Sequence, residues 1–120
     1  MPFLSQNTTP YRFGVVQTVT ASRSIGTTYT NTTGKNLLVV VLVDFTALSV
    51  SVLIDLYGYM EYVVGGGLQT VMEWSFAGAA VINDDHIYTA TFVVPPGCQY
   101  RLVDGSANVT TTLVKWIEAY

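Results

Sequence analysis

The chain carries a single histidine, His86, which follows Asp84 and Asp85, so acid–base or metal chemistry would have to gather there. On an extended chain successive side chains point to opposite sides, and at most two of these three could meet one ion unless a turn bends them together. No second histidine or cysteine pair completes a zinc set, and the alternating oxygen ligands of a calcium loop are missing. A serine protease-like arrangement could form only around His86, and no serine sits in a GxSxG elbow. Asp84, Asp85 and His86 are therefore expected to form a solvated loop, with a divalent-ion site as the alternative.

Two further carboxylates, Asp44 and Asp55, fall on or near segments that read as neighbouring strands. Glycosidase chemistry would need them to face each other across a cleft about 5 to 9 Å wide. The expectation is instead that both are edge or solvent-face residues that keep a sheet soluble. Gly65-Gly66-Gly67 lacks the Lys and Ser/Thr of a phosphate loop and is expected to be a turn. Cys98, the lone cysteine, is expected to be a small buried side chain, with Arg101 as the one nearby cation that could lower its pKa. Asn7, Asn31 and Asn108 each open an Asn-x-Thr triplet, a pattern that chance supplies in an Asn- and Thr-rich chain. No catalytic, cofactor-binding or metal-ligating residue is assigned, and the chain is not expected to be an enzyme.

Composition points the same way. Hydrophobic residues make up 50% of the 120 residues and charged residues 11%, against roughly 25% charged in an ordinary soluble domain. A surface so short of charge needs Thr, Ser and Asn in number, or a partner that covers part of it. The net charge is −3, and Arg12, Arg23, Lys35, Arg101 and Lys115 are scattered singly. Phosphate-backbone binding draws on clustered cations, so a nucleic-acid partner is not expected. The longest apolar run, Leu37 to Val43, falls well short of the ~20 residues of a spanning helix, and no signal-like segment opens the chain; no membrane partner is expected. Eight tyrosines exceed what a core of this size absorbs. Tyr57, Tyr59 and Tyr62 crowd around Gly58; with Phe3 and Tyr11 of the N-terminal segment they are the candidate interface residues.

The elements that would position these residues are strands. Residues 1–13, with Pro2 and Pro10, read as an extended arm expected to be pinned on a neighbouring subunit; residues 14–120 read as one β-domain. Leu37 to Phe45 is a β-branched run expected at the centre of a sheet and buried on much of both faces. Val50, Val52, Ile54 and Leu56 alternate with more polar neighbours. Gly58 is expected to separate that strand from Tyr59–Val64. Thr70, Met72, Trp74 and Phe76 share one face, expected inward, and Gly78 with Asn83–His86 frames a loop. Tyr88, Ala90, Phe92 and Val94 form another face, ended by Pro95-Pro96-Gly97. Tyr100 and Leu102 mark a short strand, Asp104-Gly105 a turn, and Val109 to Tyr120 the last strand. About eight short strands with closely spaced turns predict an all-β, antiparallel β-sandwich, jelly-roll-like and built from hairpins.

Three stretches carry a resemblance. Arg23-Ser24-Ile25-Gly26-Thr27-Thr28-Tyr29-Thr30-Asn31-Thr32-Thr33-Gly34-Lys35 resembles the RxxGTTYTNTTG(R/K) segment of small β-sandwich domains in tailed-bacteriophage virion proteins, often at tail-fibre ends. Val93-Val94-Pro95-Pro96-Gly97-Cys98-Gln99-Tyr100 is similar to their VPPGxxY strand-turn, and Leu113 to Glu118 to their closing LxxWxE strand. The similarity runs from about residue 18 to 120 and transfers no catalytic residue. It implies a virion location, a homo-oligomer with a trimer favoured, other virion proteins as partners, and host-surface glycan as a further possible partner. Tyr57 to Trp74 departs from the family's short Gly/Ser-rich hairpins and is the expected specialised interface. One domain with a short arm and no long shaft fits a capsid decoration subunit; the alternatives are a tail-fibre or receptor-binding module and a glycan-acting enzyme.

Overall fold

A computed structural model describes residues 13–120, so Phe3 and Tyr11 lie outside the described residues. Eight strands follow one another: β1 (Val16–Thr18), β2 (Tyr29–Thr30), β3 (Leu37–Ala47), β4 (Ser51–Met60), β5 (Gln69–Ala79), β6 (Asp85–Val94), β7 (Gln99–Asp104) and β8 (Val109–Ala119). They form two four-stranded sheets, ordered β1-β8-β3-β6 and β2-β7-β4-β5, and every pairing is antiparallel. Consecutive strands change sheet at every connection except β4 to β5. That order is a jelly roll, as the sequence predicts. The expected chain of hairpins is not what builds it: β4–β5 alone is a hairpin, and the other strands find their partners across long sequence separations.

Period-two patterning explains the layers. Along β3, Leu37, Val39, Val41, Val43, Phe45 and Ala47 are buried while the residues between them are half-buried. The run is thus fully buried on one face only. Ile54 and Leu56 of β4, Ala90, Phe92 and Val94 of β6, Tyr100 and Leu102 of β7, and Trp116 of β8 meet the β3 side chains between the sheets. Each large aliphatic or aromatic side chain so buried contributes roughly 1.5–3 kcal/mol.

Gly58 corrects an expectation. It lies inside β4 opposite Met72, and the segment Tyr59–Met60 continues the same strand. A Cβ at Gly58 would stand 3.3 Å from Met72 Cβ and 3.3 Å from Phe92 Cε1. Close packing, and not chain reversal, selects glycine there. Gly78 likewise lies within β5. A register shift at Gly58/Tyr59, opposite Val71, turns Thr70 to the outer face opposite Tyr59, so only Met72, Trp74 and Phe76 keep the inward parity foreseen for all four. Even so, Trp74 is 44% and Phe76 41% exposed, because the sandwich stays open along the side bounded by β5 and β6. The Trp74 indole reaches across that opening to donate to the Thr89 carbonyl of β6 at 3.1 Å, with the Tyr88 ring 5.4 Å away.

Replacing Gly58 by Val should overfill the space between Met72 and Phe92 and cost roughly 1–3 kcal/mol. Urea unfolding would check this; unchanged stability would show that Phe92 is free to move aside.

Candidate interaction surfaces

Some residues from each of the three quoted stretches come together in two clusters. Arg23 lies on the segment that crosses from β1 in one sheet to β2 in the other, just after a 3₁₀ turn at Thr20–Ser22. Its Nε donates to Glu118 Oε2 at 3.0 Å and its Nη2 to Oε1 at 2.8 Å, a two-pronged ion pair. Tyr100 Oη donates to the same Oε2 at 2.6 Å and Trp116 Nε1 at 3.0 Å. The Tyr29 ring packs between these groups, 4.6 Å below the guanidinium and 5.8 Å from both Tyr100 and Trp116. Burial by itself would raise the Glu118 carboxyl and is the strongest single influence; the hydrogen bonds from Arg23, Tyr100 and Trp116 and the charge of Arg23 together outweigh it and hold the group below its ordinary value. Burial, then the bond to Glu118, pushes the Tyr100 phenol up.

Asn31, two residues past Tyr29, organises the adjoining turns. Buried, it donates through Nδ2 to the carbonyls of Lys35 (2.7 Å), Val94 (2.9 Å) and Pro95 (3.1 Å) and accepts from the Thr33 amide and hydroxyl. Its own backbone bonds to Cys98 and Gly97. Gly34 and Gly97 take the positive φ values, 75° and 77°, that these two turns require. Neither cluster was foreseen as a unit; the spacing of the quoted motifs was the available signal.

Of the candidate interface residues, Tyr57 and Tyr59 stand side by side on the outer face of the β2-β7-β4-β5 sheet, ring centroids 6.2 Å apart. Arg101 lies over Tyr59 at 5.5 Å, and Tyr57 Oη donates to Asp55 Oδ2 at 2.6 Å. That bond, with further help from desolvation and from Asp55's charge, pushes the Tyr57 phenol up to about 12. Tyr62 is separate from the pair: it lies in the β4–β5 loop with Val63 and Val64, and all three are exposed.

The other outer face is apolar. Register and alternation place Val16 of β1, Leu38, Val40 and Leu42 of β3, Ile87 and Val93 of β6, and Ile117 of β8 together on it, with threonines between. Val16 is 68%, Ile87 60% and Val93 48% exposed. The charged side chains of these strands that share this side are Asp44, Asp85 and Lys115, and Asp44 Oδ1 is enclosed without a hydrogen-bond partner. At one end, the loops after β3 and β5 add exposed Leu48, Val50, Val81 and Ile82, tied by the Ala80 amide to the Val50 carbonyl.

The chemistry-bearing groups do not converge. Asp44 and Asp55, read as residues of neighbouring strands, occupy the outer faces of different sheets with the core between them. Asp85 takes a hydrogen bond from Thr46 on the outer face, while His86 registers with inward-facing Phe45. Among the described residues no three His, Cys, Asp or Glu gather as a metal set, and no cavity is present. Cys98 is buried; burial and the charge of Glu61 push its thiol up, so the lowering by Arg101 considered from sequence does not occur. Glu61, missed from sequence, is itself buried and accepts from the Gly67 and Gln99 amides, fastening the glycine-rich loop to β7.

No family model and no curated protein sequence matches the chain. Among solved structures, a chain of the infectious bursal disease virus Gx strain structure aligns with a TM-score of 0.43 and 12% identity. The alignment covers 90% of this chain and 26% of that one, so this chain spans about a quarter of its length.

Glu118→Gln should cost about 3 kcal/mol by leaving Arg23 without its countercharge. It should also flatten the acid limb of stability. With the folded carboxyl below the ordinary 4.5, the unfolded chain binds the extra proton in between; the wild-type contribution is therefore full above that value and lost as pH falls through the folded one. On the alkaline side, Tyr100 and Tyr57, both raised from 10.0, should make stability fall as pH climbs past that value, because the unfolded phenols ionise first. Chemical denaturation across pH, wild type against variant, tests both limbs; an unchanged acid limb in the variant would refute the role given to Glu118.

Proposed function

We propose that the chain is a non-enzymatic structural subunit of a bacteriophage virion, a capsid decoration protein that is homo-oligomeric and lies against other virion proteins. The observation that carries this reading is the outer face of the β1-β8-β3-β6 sheet, where aliphatic side chains, exposed on β1 and β6 and half-buried on β3 and β8, lie together with little charge among them. Single exposed apolar residues are ordinary; a contiguous sheet face of them marks a surface that another protein covers. The three motifs shared with small virion β-sandwich domains support the virion setting. Flat packing against a particle lattice matches such a face better than capture of a small molecule does.

A second reading rests on Tyr57, Tyr59 and Arg101. Two adjacent rings flanked by a guanidinium and by Asp55 and Glu73 form an amphipathic platform of the kind a glycan could stack on, which suits a tail-fibre or receptor-binding module.

Ile87→Asp combined with Val93→Asp, at positions already open to solvent, should leave a folded protein that no longer saturates capsids lacking the native subunit. Cryo-electron microscopy of the particle gives the complementary result, density at symmetry-related capsid positions. Density on the tail alone, with purified protein competing for adsorption to host cells and Tyr59→Ala abolishing that competition, would replace the first reading with the second.

A further inference from the structure

We infer that two copies of this chain join edge to edge through β5, extending the β2-β7-β4-β5 sheet into one antiparallel sheet across a two-fold axis. The pairing rests on the homo-oligomeric part of the function proposed above. Its starting point is that β5, eleven residues long, pairs only with β4 among the described residues. Its far side therefore presents a row of amides and carbonyls that a further strand would satisfy.

Exposed edges are usually blunted by lysine, proline, a bulge or short length. β5 has no lysine, arginine or proline, and its register irregularity at Val71 leaves Met72 to Ala79 regular. The other sheet's edge on this side, β6, is partly covered, since the Trp74 indole occupies the Thr89 carbonyl. β5 has no such cover. Its inward-parity rings Trp74 and Phe76 also remain two-fifths exposed, which only material continuing the sandwich sideways would bury.

A second copy fits that description by its own pattern. With the axis at Trp74 or Ser75, each inward side chain of β5 meets an inward side chain of its mate, joining the exposed aromatics into one seam. The one charge on the strand, Glu73, then lies opposite Ser75 or Ala77 of the other copy. An axis at Glu73 would set it against itself, and like charges directly opposite are unfavourable. Charge excludes the axis at Glu73, and the joining of the exposed aromatics favours the axis at Trp74 or Ser75. The resulting assembly is a dimer, in place of the trimer that the family resemblance implies.

Sedimentation equilibrium over a micromolar-to-millimolar series should show the mass rising twofold from 13.1 kDa. Hydrogen exchange of the wild-type chain should show amides of residues 72–79 gaining protection with concentration. Phe76→Lys, which puts a charge in the seam, should remain monomeric, while the Ile87→Asp, Val93→Asp variant should still dimerise. A chain monomeric throughout, or an oligomer whose β5 amides stay unprotected, overturns the pairing; the exchange result holds even if Phe76→Lys fails to fold. Capsid binding by a wild-type monomer would overturn this inference alone, whereas dimerisation without any particle binding would overturn the decoration reading alone.

Discussion

The two sheets are held in register at one side by a buried carboxylate. Glu118 takes four hydrogen bonds from three residues, and those residues belong to β7, to β8 and to the segment that crosses between the sheets. A charge in such a place is tolerable only when fully paired, so the positions of Arg23, Tyr100 and Trp116 are coupled. The crossover needs Arg23 to arrive beside β8, Tyr29 to pack under it, and β7 to bring its phenol within reach. On the opposite side, between β5 and β6, the Trp74 indole supplies the one side-chain hydrogen bond between those strands among the described residues, and there the layers part enough to leave aromatic rings in solvent. The molecule is thus closed by electrostatics along one long side and left open along the other.

The fold was legible where burial acts on local pattern. Val52 to Leu56 and Ala90 to Val94 alternate cleanly, the apolar run Leu37 to Phe45 marks a strand, and glycine or proline marks the turns at Gly34 and Gly97. It was not legible where the cause is distant in sequence. Gly58 looks like punctuation until Phe92, 34 positions later, is seen to fill the space a side chain would occupy. Thr70 has the parity of a core residue until a one-residue slip against Tyr59 turns it outward. Asp44 and Asp55 look like neighbours because β3 and β4 are consecutive, yet the jelly-roll path sends consecutive strands to different layers.

The candidate site was legible in part. Tyr57 and Tyr59 do share a surface, as their i, i+2 spacing on a strand requires. Tyr62 leaves that surface because β4 ends at Met60. The apolar outer face was hidden by the same run that revealed the core: a string of valines and leucines shows that both parities are greasy, and only pairing shows that one of them faces outward. The motif residues Arg23, Tyr29, Asn31, Tyr100, Trp116 and Glu118 build the fold, whereas the exposed apolar and aromatic side chains lie on the faces between them.

The anchoring of Asn31 bears on how the chain can be produced. Its side-chain nitrogen is the atom to which an oligosaccharide would be attached in the Asn31-Thr32-Thr33 triplet, and that nitrogen is already committed to three carbonyls in the interior. In a secretory host the triplet could be decorated only before the polypeptide collapses, and a sugar added then would wedge the β2–β3 turn away from the end of β6. Expression in a eukaryotic lumen would leave the molecules glycosylated at Asn31 unable to close, whereas a bacterial cytosol presents no such fork.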